Sequence, residues 1–286
     1  MKNNEEFFKK VNSDAKKIND YKTKLLEYRF NSKEYDLNIF DENILNIKDI
    51  YMFPSEYEEE FNSYGYRSDN FLEKSEKHNG AHVLFSGCSQ TIGFALDKRE
   101  LWSKILYDKI NKDKKCSGYF NLAISGSGIQ IIISNLFKYF KNFGNPDYIF
   151  LNLPDPFRFI GFSPESDSYK KITFNTKDSE IQKFLCLINY HYYLMLEQYC
   201  NNNNIKLYSV SWHMDEPKYY NTNSFFSIFK TFIEIDYQKM QKDIINDEKK
   251  YSPEYYYYAR DGVHDGIGYN AWLANFLYNE YLKNNI

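Results

Sequence analysis

Ser89 stands in the run Ser86-Gly87-Cys88-Ser89-Gln90-Thr91-Ile92-Gly93, between small residues. A serine at a strand-to-helix turn can present its hydroxyl to a carbonyl carbon while backbone N–H groups point at the same space. A plain helix N-cap explains the same serine. To act as a nucleophile a hydroxyl needs a base, and the base needs a carboxylate to orient it. Arg260-Asp261-Gly262-Val263-His264-Asp265-Gly266-Ile267-Gly268 holds both groups in one glycine-rich segment, with Asp261 three residues before His264. A loop-capping His264 and an Asp261–Arg260 ion pair account for these residues as well.

Two further positions have the chemistry to hold an oxyanion. In Asn121-Leu122-Ala123-Ile124-Ser125-Gly126-Ser127-Gly128, a glycine such as Gly126 lets a backbone N–H face an anion without a side chain in the way. A tight turn into a helix needs the same glycines. Asn152 is a polar residue in an otherwise apolar run and its amide can donate to an oxyanion, or simply be satisfied at the end of a strand. Arg158, after Leu151-Asn152-Leu153-Pro154-Asp155-Pro156-Phe157, could hold negative charge on a substrate or pair with Asp155.

Other chemistries fit less well. Cys88 adjoins Ser89, and neighbouring side chains on one element point apart, so a thiol nucleophile would need a different geometry. His213-Met214-Asp215-Glu216 lacks metal-ligand spacing, which leaves His213 a pocket-rim or surface role. Asp261, His264 and Asp265 could make a carboxylate–histidine metal cluster, but the serine and glycine context favours nucleophilic chemistry. Tyr255 to Tyr258 either pack beneath the Asp261–His264 segment or wall an acyl or sugar pocket.

These residues fall near the ends of elements that alternate along the chain. Ala81 to Ser86 is a nearly continuous apolar run, as expected of a strand buried on both faces. Asp97 and Glu100 form a capping-box pattern that predicts a helix to about Asn111, with Leu101, Trp102, Ile105, Leu106 and Ile110 on one side. Tyr119 to Ile124 reads as a strand, Ile129 to Phe143 as a helix, and Tyr148 to Leu151 as a strand stopped by Pro154 and Pro156. Residues 154–177 read as a long connection. Ser179 to Cys200 reads as a helix and Ile205 to Trp212 as a strand. A fifth short strand is expected near Phe232 to Ile235. The last helix is expected from Tyr269 to Asn284, with Trp272, Leu273, Phe276, Leu277 and Tyr281 facing inward.

Alternating strands and helices predict a three-layer α/β/α sandwich around a mostly parallel five-stranded sheet, with sites outside the carboxyl ends of the strands. Residues 1–60 are polar and charged, with a helical pattern over Glu5 to Tyr28, and read as an accessory extension. Residues 61–286 read as one α/β domain.

Composition narrows the classes. With 286 residues and a net charge of −3, the chain is long enough to bury a core and has no charge excess to attract nucleic acid. No run approaches the roughly 18–20 apolar residues of a bilayer span, and the first residues lack the hydrophobic stretch of a secretory signal. The four cysteines are widely spaced, with no CxxC pair, so a reducing compartment is expected. The 28 Tyr and 24 Phe are spread along the chain, which points to biased composition rather than to one aromatic surface.

Taken in order, Gly87-Cys88-Ser89, Gly126 and Asp261-Gly262-Val263-His264 resemble the first, second and terminal blocks of the SGNH (GDSL-type) hydrolases. Asn62-Ser63-Tyr64-Gly65-Tyr66-Arg67-Ser68 resembles the N-x-x-G-[FY]-R lead-in found before the nucleophile strand of many such proteins. The resemblance implies a flavodoxin-like sheet, Ser89 as nucleophile, His264 as base and then acid, and Asp261 as orienter. It further implies an oxyanion site from the N–H groups of Ser89 and Gly126, with Asn152 in the place of the third-block Asn. The implied substrate is a small-molecule or glycan ester, cleaved through an acyl-enzyme, with neither a metal nor an organic cofactor. The chain departs from the family pattern in two places. Cys88 replaces the usual Asp, and Leu151 to Arg158 replaces the third block G-x-N-D. Loss of one oxyanion donor costs about 100- to 1000-fold in rate, so a weakly active or inactive binding module is the alternative. The same triad can also run O-acyl transfer.

Overall fold

The computed structural model describes residues 61–74, 79–93, 96–124, 126–154, 156, 158–163, 168–173, 179–211, 228–247, 259 and 264–283. The expected extension over residues 1–60, with its helix Glu5 to Tyr28, lies outside the described residues.

Strand β1 (Val83–Gly87) is buried along its whole length. It runs parallel to β2 (Phe120–Asn121) on one side and to β3 (Tyr148–Leu153) on the other. β6 (Lys206–Ser211) adds to the far edge of β3, again parallel, giving the order β2-β1-β3-β6. Side chains alternate across this sheet. Leu84, Ile149, Leu151 and Leu207 enter one core, whereas Val83, Phe85, Phe150, Tyr208 and Val210 enter the other. Two buried faces explain why β1 and β3 are apolar without a period-two pattern.

The first core is covered by α3 (Ile129–Phe143) and α4 (Ser179–Asn202). α3 buries Ile129, Ile132, Ile133, Leu136, Phe140 and Phe143, the i, i+3, i+4, i+7 stripe that amphipathic helices require. The second core is covered by α2 (Trp102–Asp113), α5 (Tyr237–Asp247) and α6 (Ile267–Lys283). The expected three-layer α/β/α architecture is therefore the observed one.

Several boundaries differ from expectation. The parallel sheet has four strands rather than five among the described residues. Phe232, the expected fifth strand, makes only a parallel bridge to Ser209, through Ser209 N donating to Thr231 O at 3.0 Å and Ile233 N donating to Ser209 O at 2.7 Å. The next residues leave the sheet edge to enter α5, so the ladder cannot extend. Asp97 and Glu100 do form a capping box, but it closes a one-turn 3-10 helix (Lys98–Glu100), and α2 begins after it. The connection after β3 carries an antiparallel hairpin, β4 (Arg158–Ser163) with β5 (Ser168–Thr173). On α6, Leu273, Leu277 and Tyr281 are buried as expected. Trp272 and Phe276 stack on each other at the margin of that core, with ring centroids 4.9 Å apart.

The segment preceding β1 lines the free edge of β2. Asp69 N donates to Tyr119 O and Tyr119 N to Asp69 Oδ2, each at 2.9 Å, and Asn121 N donates to Ser68 Oγ at 3.1 Å. Its turn is closed by Asn62 Oδ1, which accepts the N–H groups of Tyr64 and Tyr66 at 3.0 Å each, around Gly65 at φ 74°. This covers an otherwise open strand edge.

Candidate functional site

The carboxyl ends of β1 and β3 meet at Gly87, which pairs in register with Asn152. A side chain at Gly87 would collide with Thr91 Oγ1 at 2.1 Å and with the carbonyl oxygen of Asn152 at 2.7 Å. The chain can therefore turn directly from β1 into the short helix α1 (Ser89–Ile92). Cys88 is the N-cap residue, with no side-chain cap bond, and its carbonyl accepts Thr91 N at 3.0 Å and Ile92 N at 3.1 Å. Ser89 is the first helical residue. The helix-cap alternative for this serine is thus not what the fold uses. Ser89 is 4% exposed, and α1 ends on Gly93 in the left-handed conformation, at φ 72°.

The turn after β2 sits against the same strand end. Ile124 N donates to Gly87 O at 3.3 Å, and Ser127 Oγ donates to Ile124 O at 2.7 Å and lies 3.2 Å from Gly87 O. Gly126 has φ 69°, a region where an L side chain costs roughly 1–2 kcal/mol. Gly128, the N-cap residue of α3, has room for no Cβ, because Arg158 O would lie 2.4 Å from it. These contacts bring the Gly126 turn and the start of the β4–β5 hairpin to the end of β1.

Asn152 is wholly buried, and among the described residues neither its amide nitrogen nor its amide oxygen meets a hydrogen-bond partner. The Tyr269 hydroxyl, in the first turn of α6, is likewise buried and, among the described residues, without one. Burial pushes the Tyr269 phenol well above its ordinary range, with the carboxyl of Asp265 and the phenol of Tyr237 adding to the rise and the Asn152 amide opposing it. Asn152 and Asp265 therefore both lie close enough to the Tyr269 hydroxyl to act on its ionisation. Unpartnered buried polar atoms are expensive, so such atoms in a native fold call for an explanation.

The histidine-bearing turn is held from two sides. Asp265 N donates to Gln90 Oε1 at 3.2 Å, which ties residue 265 to the residue following Ser89. Asn270 Nδ2 donates to Gly266 O at 2.9 Å and to Asp265 O at 3.2 Å, while Asn270 Oδ1 accepts Trp102 N at 2.9 Å. His264 itself is partly exposed, and its carbonyl accepts Ala259 N at 2.8 Å. Burial raises the Asp265 carboxyl to about 6, an effect that the adjacent His264 imidazole partly offsets.

Of the residues singled out in the sequence, Ser89, Gly126, Asn152 and His264 thus come to the carboxyl-end side of the sheet, and Arg158 opens the hairpin beside them. Asp261, His213 with Met214 to Glu216, Asp155, and Tyr255 to Tyr258 lie outside the described residues. Among the described residues, no group of three or more His, Cys, Asp or Glu is placed to hold a metal ion. Gln90 and Asn270 carry no sequence signal for their roles, because each acts by bonding backbone of a segment remote in the chain.

No family model and no curated protein matches this chain. Among solved structures it is similar to a psychrotrophic esterase, EstA, from Pseudoalteromonas sp., inhibited by monoethylphosphonate. The two share 12% identity over 70% of this chain and 96% of the other, with a TM-score of 0.42. It is also similar to TesA, at 12% identity over 69% of this chain and 96% of the other, with a TM-score of 0.43.

Proposed function

We propose that the chain is a serine hydrolase of SGNH type that cleaves a carboxylic ester, such as an O-acetyl group on a glycan or a short acyl ester. The observation that carries this reading is the Gln90–Asp265 hydrogen bond, which joins the segments bearing Ser89 and His264 across 175 positions of sequence. The ordered motifs Gly87-Cys88-Ser89, Gly126 and Asp261-Gly262-Val263-His264 support it independently.

In this reading His264 Nε2 accepts the Ser89 proton as Oγ attacks the ester carbonyl. The tetrahedral oxyanion is held by the N–H groups of Ser89 and Gly126 and by the Asn152 amide. His264 returns the proton to the departing alcohol, leaving Ser89 acylated. Water, deprotonated by the same imidazole, then releases the acid and restores the serine. Asp261 keeps the imidazole in the required tautomer. Arg158, at the start of β4, is in this reading a contact for polar groups of the substrate, and His213 a second. A reducing compartment suits the free Cys88, Cys116, Cys186 and Cys200.

Turnover of p-nitrophenyl acetate by the protein and by Ser89→Ala tests the proposal. The wild type should hydrolyse it with a burst of nitrophenolate, and Ser89→Ala should fall to the uncatalysed rate. Equal turnover by both removes Ser89 from the mechanism.

A further inference from the structure

Arg67 lies in the lead-in segment before β1 and is 1% exposed. Its Nη1 donates to Gly93 O at 2.7 Å and Ile92 O at 3.1 Å, and its Nη2 donates to Leu96 O at 2.7 Å. One guanidinium therefore gathers three carbonyls from the turn that leaves α1. We infer that Arg67 is a positioning residue for Ser89, an inference that rests on the esterase reading and deepens it.

The physical need is clear from the size of α1. Four residues cannot sustain a helix alone, since nucleation costs more than so few bonds return. Its last carbonyls have no partners within the helix, and Gly93 leads the chain away at φ 72°. The far side of that turn is already packed, because a Cβ on Gly93 would meet Leu101 Cδ2 at 1.9 Å. The fork of Arg67 supplies directional donors to the remaining face. Its own mount is rigid: the adjoining Ser68 and Asp69 are bonded to Tyr119 and Asn121 along β2, and the Tyr66 hydroxyl donates to Asn135 Oδ1 at 3.1 Å. Arg67 thus refers the pitch of α1, and so the Ser89 hydroxyl and N–H, to the β2 edge and to α3. A lysine keeps the charge but has one nitrogen and no planar fork, so it cannot reproduce three bonds to three separated carbonyls.

The test uses the full chain as wild type, R67K and R67Q. It measures kcat and KM on p-nitrophenyl acetate, the rate of Ser89 labelling by a fluorophosphonate, near-ultraviolet circular dichroism, and amide hydrogen exchange. A misplacement of about 1 Å can cost on the order of 100-fold. Folded R67K should therefore lose about 10- to 100-fold in kcat and in labelling rate, with KM within about twofold of wild type and R67Q lower still. Exchange should quicken in the peptide spanning residues 88–97 and stay unchanged in α3. Wild-type kcat and labelling in R67K, a rise in KM alone, or unchanged exchange over 88–97 overturns the inference. If neither variant folds, Arg67 is an ordinary fold determinant and the inference is overturned too. A wild type that is not labelled at Ser89 counts against the esterase reading, and the exchange measurement then still decides the role of Arg67.

Discussion

Gln90 Oε1 accepts the backbone N–H of Asp265 at 3.2 Å. The residue after the proposed nucleophile thereby bonds the residue after the proposed base, which ties the two segments together. Gln90→Leu removes the acceptor at similar volume. We expect kcat to fall about tenfold with KM nearly unchanged, read from steady-state kinetics on p-nitrophenyl acetate. A variant with wild-type kcat would show that the bond does not set the catalytic geometry.

Asn152 has a buried amide with no hydrogen-bond partner among the described residues. If that amide completes the oxyanion site, Asn152→Ala should lower kcat by about 100- to 1000-fold, while its melting temperature moves little. Loss of less than about threefold would assign Asn152 to packing behind the strand ends. The oxyanion would then rest on the two backbone donors alone.

Asp265 supplies a pH signature. Its carboxyl is raised to about 6 by burial, above the 3.8 of an exposed Asp. The folded state therefore binds this proton more tightly than the unfolded state does. Its contribution is most favourable below about pH 4 and is lost as pH rises through about 6. Asp265→Asn should accordingly melt higher than wild type at pH 7.5, with the gap closing toward pH 4. Melting curves across that range that stay parallel would contradict the shift.

Gly87 has no space for a methyl group between Thr91 and the Asn152 carbonyl. Gly87→Ala should destabilise the protein by ~1–3 kcal/mol, as overpacking of a tight interior does, measured by urea unfolding. An unchanged midpoint would mean that α1 can swing away from β3.

The parts of the fold legible in the sequence were those whose own residues dictate them. β1 and β3 sit between two helix layers and so read as continuous apolar runs, and the 129–143 stripe gave α3 its true ends. α5 buries only Met240 and Ile244, so most of its residues are polar and its period is faint. The β4–β5 hairpin depends on pairing between Arg158–Ser163 and Ser168–Thr173, in a stretch whose prolines argue against strands. The fifth strand shrank to the Phe232 bridge because α5 begins just beyond it. For the site, glycines and a serine at strand ends were visible as a pattern. Arg67 was visible only as part of the lead-in pattern and not as a clamp, and Gln90 and Asn270 not at all, since the partners of all three are carbonyls and N–H groups that only the folded path brings near.

Peptide mass spectrometry of the protein after treatment with a fluorophosphonate, compared with His264→Ala, asks whether this imidazole activates this hydroxyl. The account predicts one adduct, on Ser89, formed rapidly in the wild type and slowed by at least about 100-fold without the imidazole. An adduct elsewhere, or labelling of Ser89 at the same rate in His264→Ala, would contradict it.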